Sequence, residues 1–229
     1  MHYLFLILFF ILFCILIFIL TSFCAMFYKT NQKCVLIEAL TNKKDDNTII
    51  LIGDSILNNT NYILNQGKSV PDLIKTEHPN TYLFAKDEAV ISDCNSQIEQ
   101  ISNENNTEKT YIFVSAGGNN ILNNRNNMSK PIIDSLFQQY STLIYSLKNK
   151  LPKAKIVLLS LYHPFDSRFK TMYPFIDQWN SLLFKFAETN NLKVIHTNKL
   201  LSVDSDFTNA VEPSEIGSKK IADAILELL

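Results

Sequence analysis

After residue 47 the hydrophobic pattern of the chain alternates between two periods. Short runs rich in β-branched residues are typical of buried strands, and they predict strands at 48–52, 81–84, 111–115, 155–161 and 192–196. Apolar residues at helical spacing predict helices at 70–76, 91–101, 131–150, 174–189 and 214–229. Strands that alternate with helices predict an α/β fold, in which helices cover both faces of a parallel sheet.

The amino-terminal segment has a different pattern. Residues 3–28 carry no charged side chain, and this run exceeds the roughly 20 apolar residues that span a bilayer. It is also longer than the apolar centre of a cleaved signal peptide, and no basic residue precedes it. We therefore expect a single-pass transmembrane anchor at 1–28, a juxtamembrane linker at 29–47 and one globular domain at 48–229.

The sequence leaves open which side of the membrane the domain faces. Basic residues follow the apolar run and none precedes it, which places the domain in the cytoplasm by the positive-inside rule. Three glycosylation sequons, at Asn58, Asn105 and Asn127, indicate the opposite side.

Composition excludes some classes of function. The formal net charge is −1, from 21 Lys and Arg against 22 Asp and Glu, so we expect no nucleic-acid partner. Four cysteines without metal-ligand spacing predict no zinc site, and no motif indicates a metal or an organic cofactor.

Polar residues follow two of the strongest predicted strands. Ser55 comes after the strand at 48–52, where it either caps a helix or serves as a nucleophile. Asn119 comes after the strand at 111–115, where it either forms an ordinary Gly-Asn turn or donates from its amide. Parallel strands bind ligands at their carboxyl ends. A serine oxygen and an amide donor at one edge are the minimum for acyl transfer, in which the amide stabilises the oxyanion.

These segments resemble the motifs of the SGNH (GDSL-type) hydrolases. Ile52-Gly53-Asp54-Ser55 resembles the first block of that family, and the residues from Ala116 to Asn120 resemble its Gly-x-Asn-Asp block. The resemblance covers 48–229 and implies a flavodoxin-like three-layer α/β/α sandwich. It also implies that Ser55 is the nucleophile, and that the Ser55 backbone N–H and the Asn119 side chain are oxyanion donors.

The remaining blocks of the family are altered in this chain. Glu88 stands where the family has the glycine whose backbone N–H is the third oxyanion donor, and Asn120 replaces an aspartate. In the Asp-x-x-His block, Asn209 occupies the aspartate position and Glu212 the histidine position. A second alignment, which starts the block at Asp206, puts Asn209 at the histidine position, so the usual base is missing in either case.

Three hypotheses remain for the site. Glu212 is an unusual general base for Ser55, or His163, at the end of another strand, takes that role. Otherwise the domain is catalytically inactive and binds a glycan, a lipid or a protein. The first two hypotheses make the protein a membrane-anchored serine hydrolase of acyl or acetyl esters, with a small ester or an acylated glycan or lipid as substrate.

Overall fold

A five-stranded parallel sheet forms the centre of the structure, a computed structural model that describes residues 46–229. The strands lie in the order β2-β1-β3-β4-β5. Their bounds are β1 (Thr48–Gly53), β2 (Thr81–Leu83), β3 (Thr110–Ser115), β4 (Lys155–Leu159) and β5 (Lys193–Ile195). A short antiparallel hairpin of β6 (Phe207–Thr208) and β7 (Glu212–Pro213) lies outside this sheet.

Helices cover the sheet in two groups. The bounds of the helices are α1 (Val70–Glu77), α2 (Asp93–Glu99), α3 (Gly118–Asn123), α4 (Lys130–Lys150), α5 (Tyr173–Asn190), α6 (Thr197–Leu200) and α7 (Glu215–Leu226). Helix α1 packs against α7, whereas α4 packs against α2 and α5. This arrangement fits a three-layer α/β/α sandwich.

The core lies on both faces of the central strands. The apolar residues of β1 and β3 are almost completely buried, as continuous runs in a parallel sheet require. Between α4 and α5, the fully buried Trp179 of α5 packs edge-on against Phe137 and Tyr140 of α4. Trp179 therefore belongs to the core.

The predicted α/β fold with a parallel sheet is confirmed, and each of the five predicted strands is present. β4 ends two residues earlier than predicted, and α3, α6 and the β6–β7 hairpin were not predicted from the sequence. Those elements have six residues or fewer, which is too short for a periodic signal. The predicted anchor lies outside the described residues; between 46 and 229, no helix has both the length and the apolar character needed to cross a membrane.

Gly53 ends β1 with a turn that only glycine can make. Its φ is +128°, and a Cβ atom there would lie 1.6 Å from the backbone oxygen of Ser115 on the neighbouring strand. The chain therefore leaves the sheet sharply at Gly53, and the next two residues, Asp54 and Ser55, stand at the carboxyl edge.

We predict that Gly53→Ala destabilises the fold far more than Gly67→Ala. Both glycines have positive φ, but a Cβ at Gly67 (φ +79°) would meet no atom within 4 Å. Gly67→Ala should therefore lower the free energy of unfolding by only about 1–2 kcal/mol. Gly53→Ala should lower it by about 4 kcal/mol or more, or prevent folding. Denaturant unfolding followed by circular dichroism measures both; equal losses would contradict the steric argument.

Candidate active site

Three separate segments meet at the carboxyl edge of the sheet. Ser55 follows β1, Asn119 lies in the first turn of α3, and Glu212 begins β7. All three line one narrow pocket with about 40 Å³ of free volume. The apolar part of its lining consists of Ile56, Ile121, Leu122, Leu161, Pro164, Ile176 and Val211. The structure thus brings together a hydroxyl, an amide and a carboxylate that lie far apart in sequence.

The hydroxyl of Ser55 is paired with the carboxylate of Glu212. Ser55 Oγ donates a hydrogen bond to Glu212 Oε1 over 3.1 Å, although 157 residues separate the two positions. Glu212 Oε2 is buried and has no hydrogen-bond partner among residues 46–229. A serine hydroxyl whose proton points at a carboxylate has the geometry of a nucleophile beside a base.

Burial makes Glu212 a stronger base than an ordinary glutamate. Desolvation, helped by the nearby carboxylates of Asp54 and Asp87, raises the pKa of Glu212 to about 7 against the lowering effect of the Ser55 hydrogen bond. A carboxyl group with this pKa is about half ionised at neutral pH, so it can both accept and return a proton.

Asp54 is a second carboxyl group with a displaced pKa. It is buried behind Ser55, and desolvation raises its pKa to about 7 despite hydrogen bonds from Ser115 Oγ (2.9 Å) and the Ile56 N–H (3.2 Å). Two carboxyl groups that titrate near neutrality therefore line the same pocket.

The segment that follows β2 provides backbone donors. Glu88 has φ +57°, a left-handed conformation that glycine adopts most readily. This supports the alignment that placed a glycine position there. In the part of the chain that the structure describes, the N–H groups of Ser55 and Glu88 donate to no protein acceptor. Both are free to bind an oxygen atom.

Two asparagines after β3 hold the Glu88 segment in place. Asn119 Nδ2 donates to the Ala89 carbonyl over 3.0 Å, and Asn120 Oδ1 accepts from the Ile91 N–H over 3.0 Å. An amide nitrogen carries two hydrogens. One hydrogen of Asn119 therefore fixes the segment, and the second remains for the pocket.

Asn209 shapes the backbone before Glu212 and does not touch its carboxylate. With φ +49°, its Oδ1 accepts from the N–H groups of Val211 (3.1 Å) and Glu212 (3.2 Å). An aspartate in the Asp-x-x-His block would orient an imidazole. Here the same position stabilises the β6–β7 turn instead.

His163 lies apart from Ser55. Its Nε2 is 2.8 Å from Asp177 Oδ1, and its ring stacks on Tyr173 with 4.0 Å between ring centres. It lines a different groove of about 780 Å³. Of the histidines within residues 46–229, none lines the Ser55 pocket. This placement favours Glu212 as the partner of the serine.

Gln97, which no sequence motif indicates, holds the end of β1. Its fully buried side chain accepts from the Gly53 N–H (2.7 Å) and donates to the Gly53 carbonyl (2.9 Å). β2 ends at Leu83, so Gly53 has no strand partner on that side. The amide oxygen of Gln97 supplies an acceptor for the Gly53 N–H, and its amide nitrogen is a second donor to the Gly53 carbonyl, which also accepts from the Lys86 N–H (2.9 Å). No local signal marks this role, because Gln97 lies 44 residues from Gly53 and within a predicted helix.

Comparison with known proteins identifies the fold. Neither the protein-family models nor the curated protein sequences contain a match to this chain. Solved structures do match. A member of the lipolytic protein G-D-S-L family from Veillonella parvula is 20% identical, with a TM-score of 0.64 over 80% of this chain and 97% of its own. An acetyl xylan esterase is 16% identical (TM-score 0.61, covering 80% and 99%). A phospholipase A1 from Streptomyces albidoflavus is 15% identical (TM-score 0.57, covering 79% and 98%).

The chain therefore has the fold of the SGNH, or GDSL-type, hydrolases. Many further solved structures with this likeness belong to the same lipolytic class. The resemblance found in the sequence motifs is confirmed at the level of the fold.

We predict that Asp54→Asn stabilises the protein at pH 8 but not at pH 4. Folding raises the pKa of Asp54 to about 7 from its ordinary value of 3.8. The folded state favours the protonated form of Asp54, which adds to the free energy of unfolding. This stabilisation is complete below about pH 4 and is lost as the pH rises through about 7. An asparagine keeps an acceptor for Ser115 and Ile56 but carries no charge. The gain at pH 8 should be at most about 4 kcal/mol, because one pKa unit corresponds to about 1.4 kcal/mol.

Thermal melting at the two pH values measures this difference. Asp223→Asn is the matched control, because it removes one carboxylate that is exposed and paired with Lys219. An advantage of Asp54→Asn that is equal at pH 4 and pH 8 would contradict the assignment of the effect to a buried charge.

Proposed function

We propose that the protein is a serine ester hydrolase in which Ser55 attacks the substrate carbonyl and Glu212 is the general base. The hydrogen bond from Ser55 Oγ to Glu212 Oε1 carries this proposal. The fold shared with lipolytic enzymes supports it, since the two residues meet at the edge where parallel sheets bind their ligands.

In the first half-reaction Ser55 becomes acylated. Glu212 takes the hydroxyl proton while Ser55 Oγ forms a bond to the carbonyl carbon, and the carbonyl oxygen gains the negative charge. The N–H groups of Ser55 and Glu88 and the second amide hydrogen of Asn119 stabilise that oxyanion. When the tetrahedral intermediate collapses, the bond to the alcohol oxygen breaks and Glu212 gives its proton to the leaving alcohol.

In the second half-reaction water releases the acyl group. Glu212 now accepts a proton from water, whose oxygen bonds to the acyl carbon through a second oxyanion. The bond to Ser55 Oγ then breaks, the serine takes the proton back, and the carboxylic acid leaves. The cycle needs no metal or organic cofactor, and the proton returns to Ser55 through one carboxyl group.

The raised pKa of Glu212 lets it replace histidine. A carboxylate with the ordinary glutamate pKa of 4.5 is a weak base toward a serine hydroxyl, whereas one with a pKa of about 7 matches the usual basicity of an imidazole. Only the ionised form accepts the proton. Activity should therefore rise with pH through about 7.

The narrow pocket favours a short acyl group. Its free volume of about 40 Å³ is small beside the roughly 300–1,000 Å³ of sites that enclose larger organic ligands. Among the similar structures is an acetyl xylan esterase, which supports an acetyl ester. The alcohol part is a small molecule, a glycan or a lipid. In this proposal residues 3–28 anchor the enzyme in a membrane as a single-pass protein.

The alternative is a domain that binds an acylated glycan, a lipid or a protein without cleaving it. The replacement of histidine by Glu212 and of aspartate by Asn209 is the observation in its favour. Labelling of the serine distinguishes the two functions.

We expect a serine-reactive fluorophosphonate to label the wild-type protein at pH 8. Ser55→Ala should abolish labelling, because it removes the nucleophile. Glu212→Gln should slow it by about 10²–10⁴-fold, since the amide cannot take the proton. His163→Gln is the matched control and should label at nearly the wild-type rate. Absence of labelling from pH 5 to pH 9 would favour the binding domain, and loss of labelling in His163→Gln would make His163 the base.

We also expect the enzyme to prefer p-nitrophenyl acetate over p-nitrophenyl octanoate. The longer acyl chain exceeds the free volume of the pocket, so kcat/KM should fall by about tenfold or more. Leu122→Ala removes part of the side chain that lines the pocket and so enlarges the pocket, which should reduce this preference. A higher kcat/KM for the octanoate ester in the wild-type protein would contradict the proposed short acyl group.

A further inference from the structure

Asn59 is a buried amide that no motif singled out. Its side chain is fully buried four residues after Ser55. Its Oδ1 accepts from the Val70 N–H over 2.9 Å. Its Nδ2 donates to the Pro213 carbonyl over 3.1 Å and to Ser218 Oγ over 2.6 Å. Every hydrogen-bonding atom of the amide is therefore used.

The partners of Asn59 belong to three different elements. Val70 begins α1, Pro213 lies in β7, and Ser218 lies in α7. Pro213 directly follows Glu212 in the chain. One side chain therefore ties the segment that carries the nucleophile to the segment that carries the proposed base, across 154 residues of sequence.

The carboxylate of Glu212 makes few hydrogen bonds, so its position depends on the hydrogen bond from Asn59 to the neighbouring Pro213 carbonyl. Its Oε1 contacts Ser55 Oγ, and its Oε2 has no partner among the described residues. The hairpin that carries it has only two residue pairs, Phe207 with Pro213 and Thr208 with Glu212. The position of the carboxylate is therefore set by where the β7 backbone lies.

We propose that Asn59 is a positioning residue that holds Glu212 within hydrogen-bonding distance of Ser55. This inference rests on the proposed function, and it adds a residue that does not touch the substrate. Loss of the bond to Pro213 lets β7 move away from Ser55, and a displacement of about 1 Å can cost about 10²-fold in rate.

The same displacement changes the ionisation of Glu212. Moving the carboxylate toward water restores its hydration, so its pKa falls from about 7 toward its ordinary value. The ionisable groups around Glu212 are Asp54 after β1, Asp87 after β2, and the hydroxyls of Tyr62 and Tyr162. Asn59 is neutral, so its replacement by alanine removes no charge from this set.

The test compares Asn59→Ala with the wild type in the full-length chain, purified in a mild detergent. The measurements are kcat and KM for p-nitrophenyl acetate from pH 5 to pH 9, with kcat divided by the fraction of serine that a fluorophosphonate labels. We expect kcat to fall about 30-fold or more while KM changes less than about threefold. The inflection of the pH profile should move at least about half a pH unit toward acid.

Two control variants separate positioning from stability. Asn106→Ala removes another asparagine that accepts from a distant backbone N–H, that of Lys153 at the amino edge of the sheet (2.9 Å). Ser218→Ala removes one partner of Asn59 but leaves the bond to Pro213. Both should lower the melting temperature and leave kcat per labelled serine and the inflection unchanged. If Asn59→Ala does not fold, Asn59→Ser takes its place, because a hydroxyl still meets part of the hydrogen-bonding demand.

The inference is overturned if Asn59→Ala lowers only the melting temperature and leaves kcat and the pH inflection as in the wild type. Failure of the proposed function is a different result, in which the wild-type protein neither labels nor hydrolyses. In that event the pKa of Glu212 is read from ¹³C NMR of its carboxyl carbon, assigned with Glu212→Gln. A lower pKa in Asn59→Ala supports the positioning role, and an unchanged pKa refutes it.

Discussion

Where parallel strands diverge, their backbone N–H and C=O groups lose the partners that the sheet supplied, and each one left buried and unpaired costs about 1–3 kcal/mol. Amide side chains meet this need at the carboxyl edge of the sheet. Gln97 pairs with both backbone groups of Gly53. Asn180 pairs in the same way with Leu161, over 2.8 and 2.7 Å. A carboxamide has the donor and the acceptor of a peptide group, so these side chains let the loops leave the sheet without losing hydrogen bonds.

The pocket between these diverging loops raises the pKa values of the carboxyl groups that line it. Glu212 faces Ser55 in a narrow pocket that removes much of the water around its carboxylate, and Asp54 lies buried behind the serine. In a serine–histidine–aspartate site, a third residue orients the base and stabilises its charged form. In the proposed mechanism the base is Glu212, which is anionic before it accepts the proton, so desolvation and the nearby carboxylates raise its proton affinity. A base of this kind needs no third residue to orient it, so Asn209 can stabilise the β6–β7 turn instead.

The sequence was informative where the chemistry is local. The β-branched runs before Gly53 and before Ala116 predicted the two central strands. The family frame aligned Glu88 with a glycine position, and its left-handed backbone is consistent with that alignment. Other features depend on contacts that no spacing reveals. Asn59 and Gln97 look like surface residues until the fold buries them beside partners 154 and 44 residues away. The basicity of Glu212 likewise depends on burial, which the residue type does not disclose.

The amides at the carboxyl edge have a consequence for how the protein meets acid and alkali. Carboxamides neither gain nor lose a proton over the biological range, so the frame made by Asn59, Gln97, Asn119 and Asn180 keeps its hydrogen bonds throughout. A frame of aspartates or histidines would rearrange as it titrated. A change of pH can therefore alter the charge of the carboxyl groups in the pocket while the hydrogen bonds of the surrounding carboxamides stay the same.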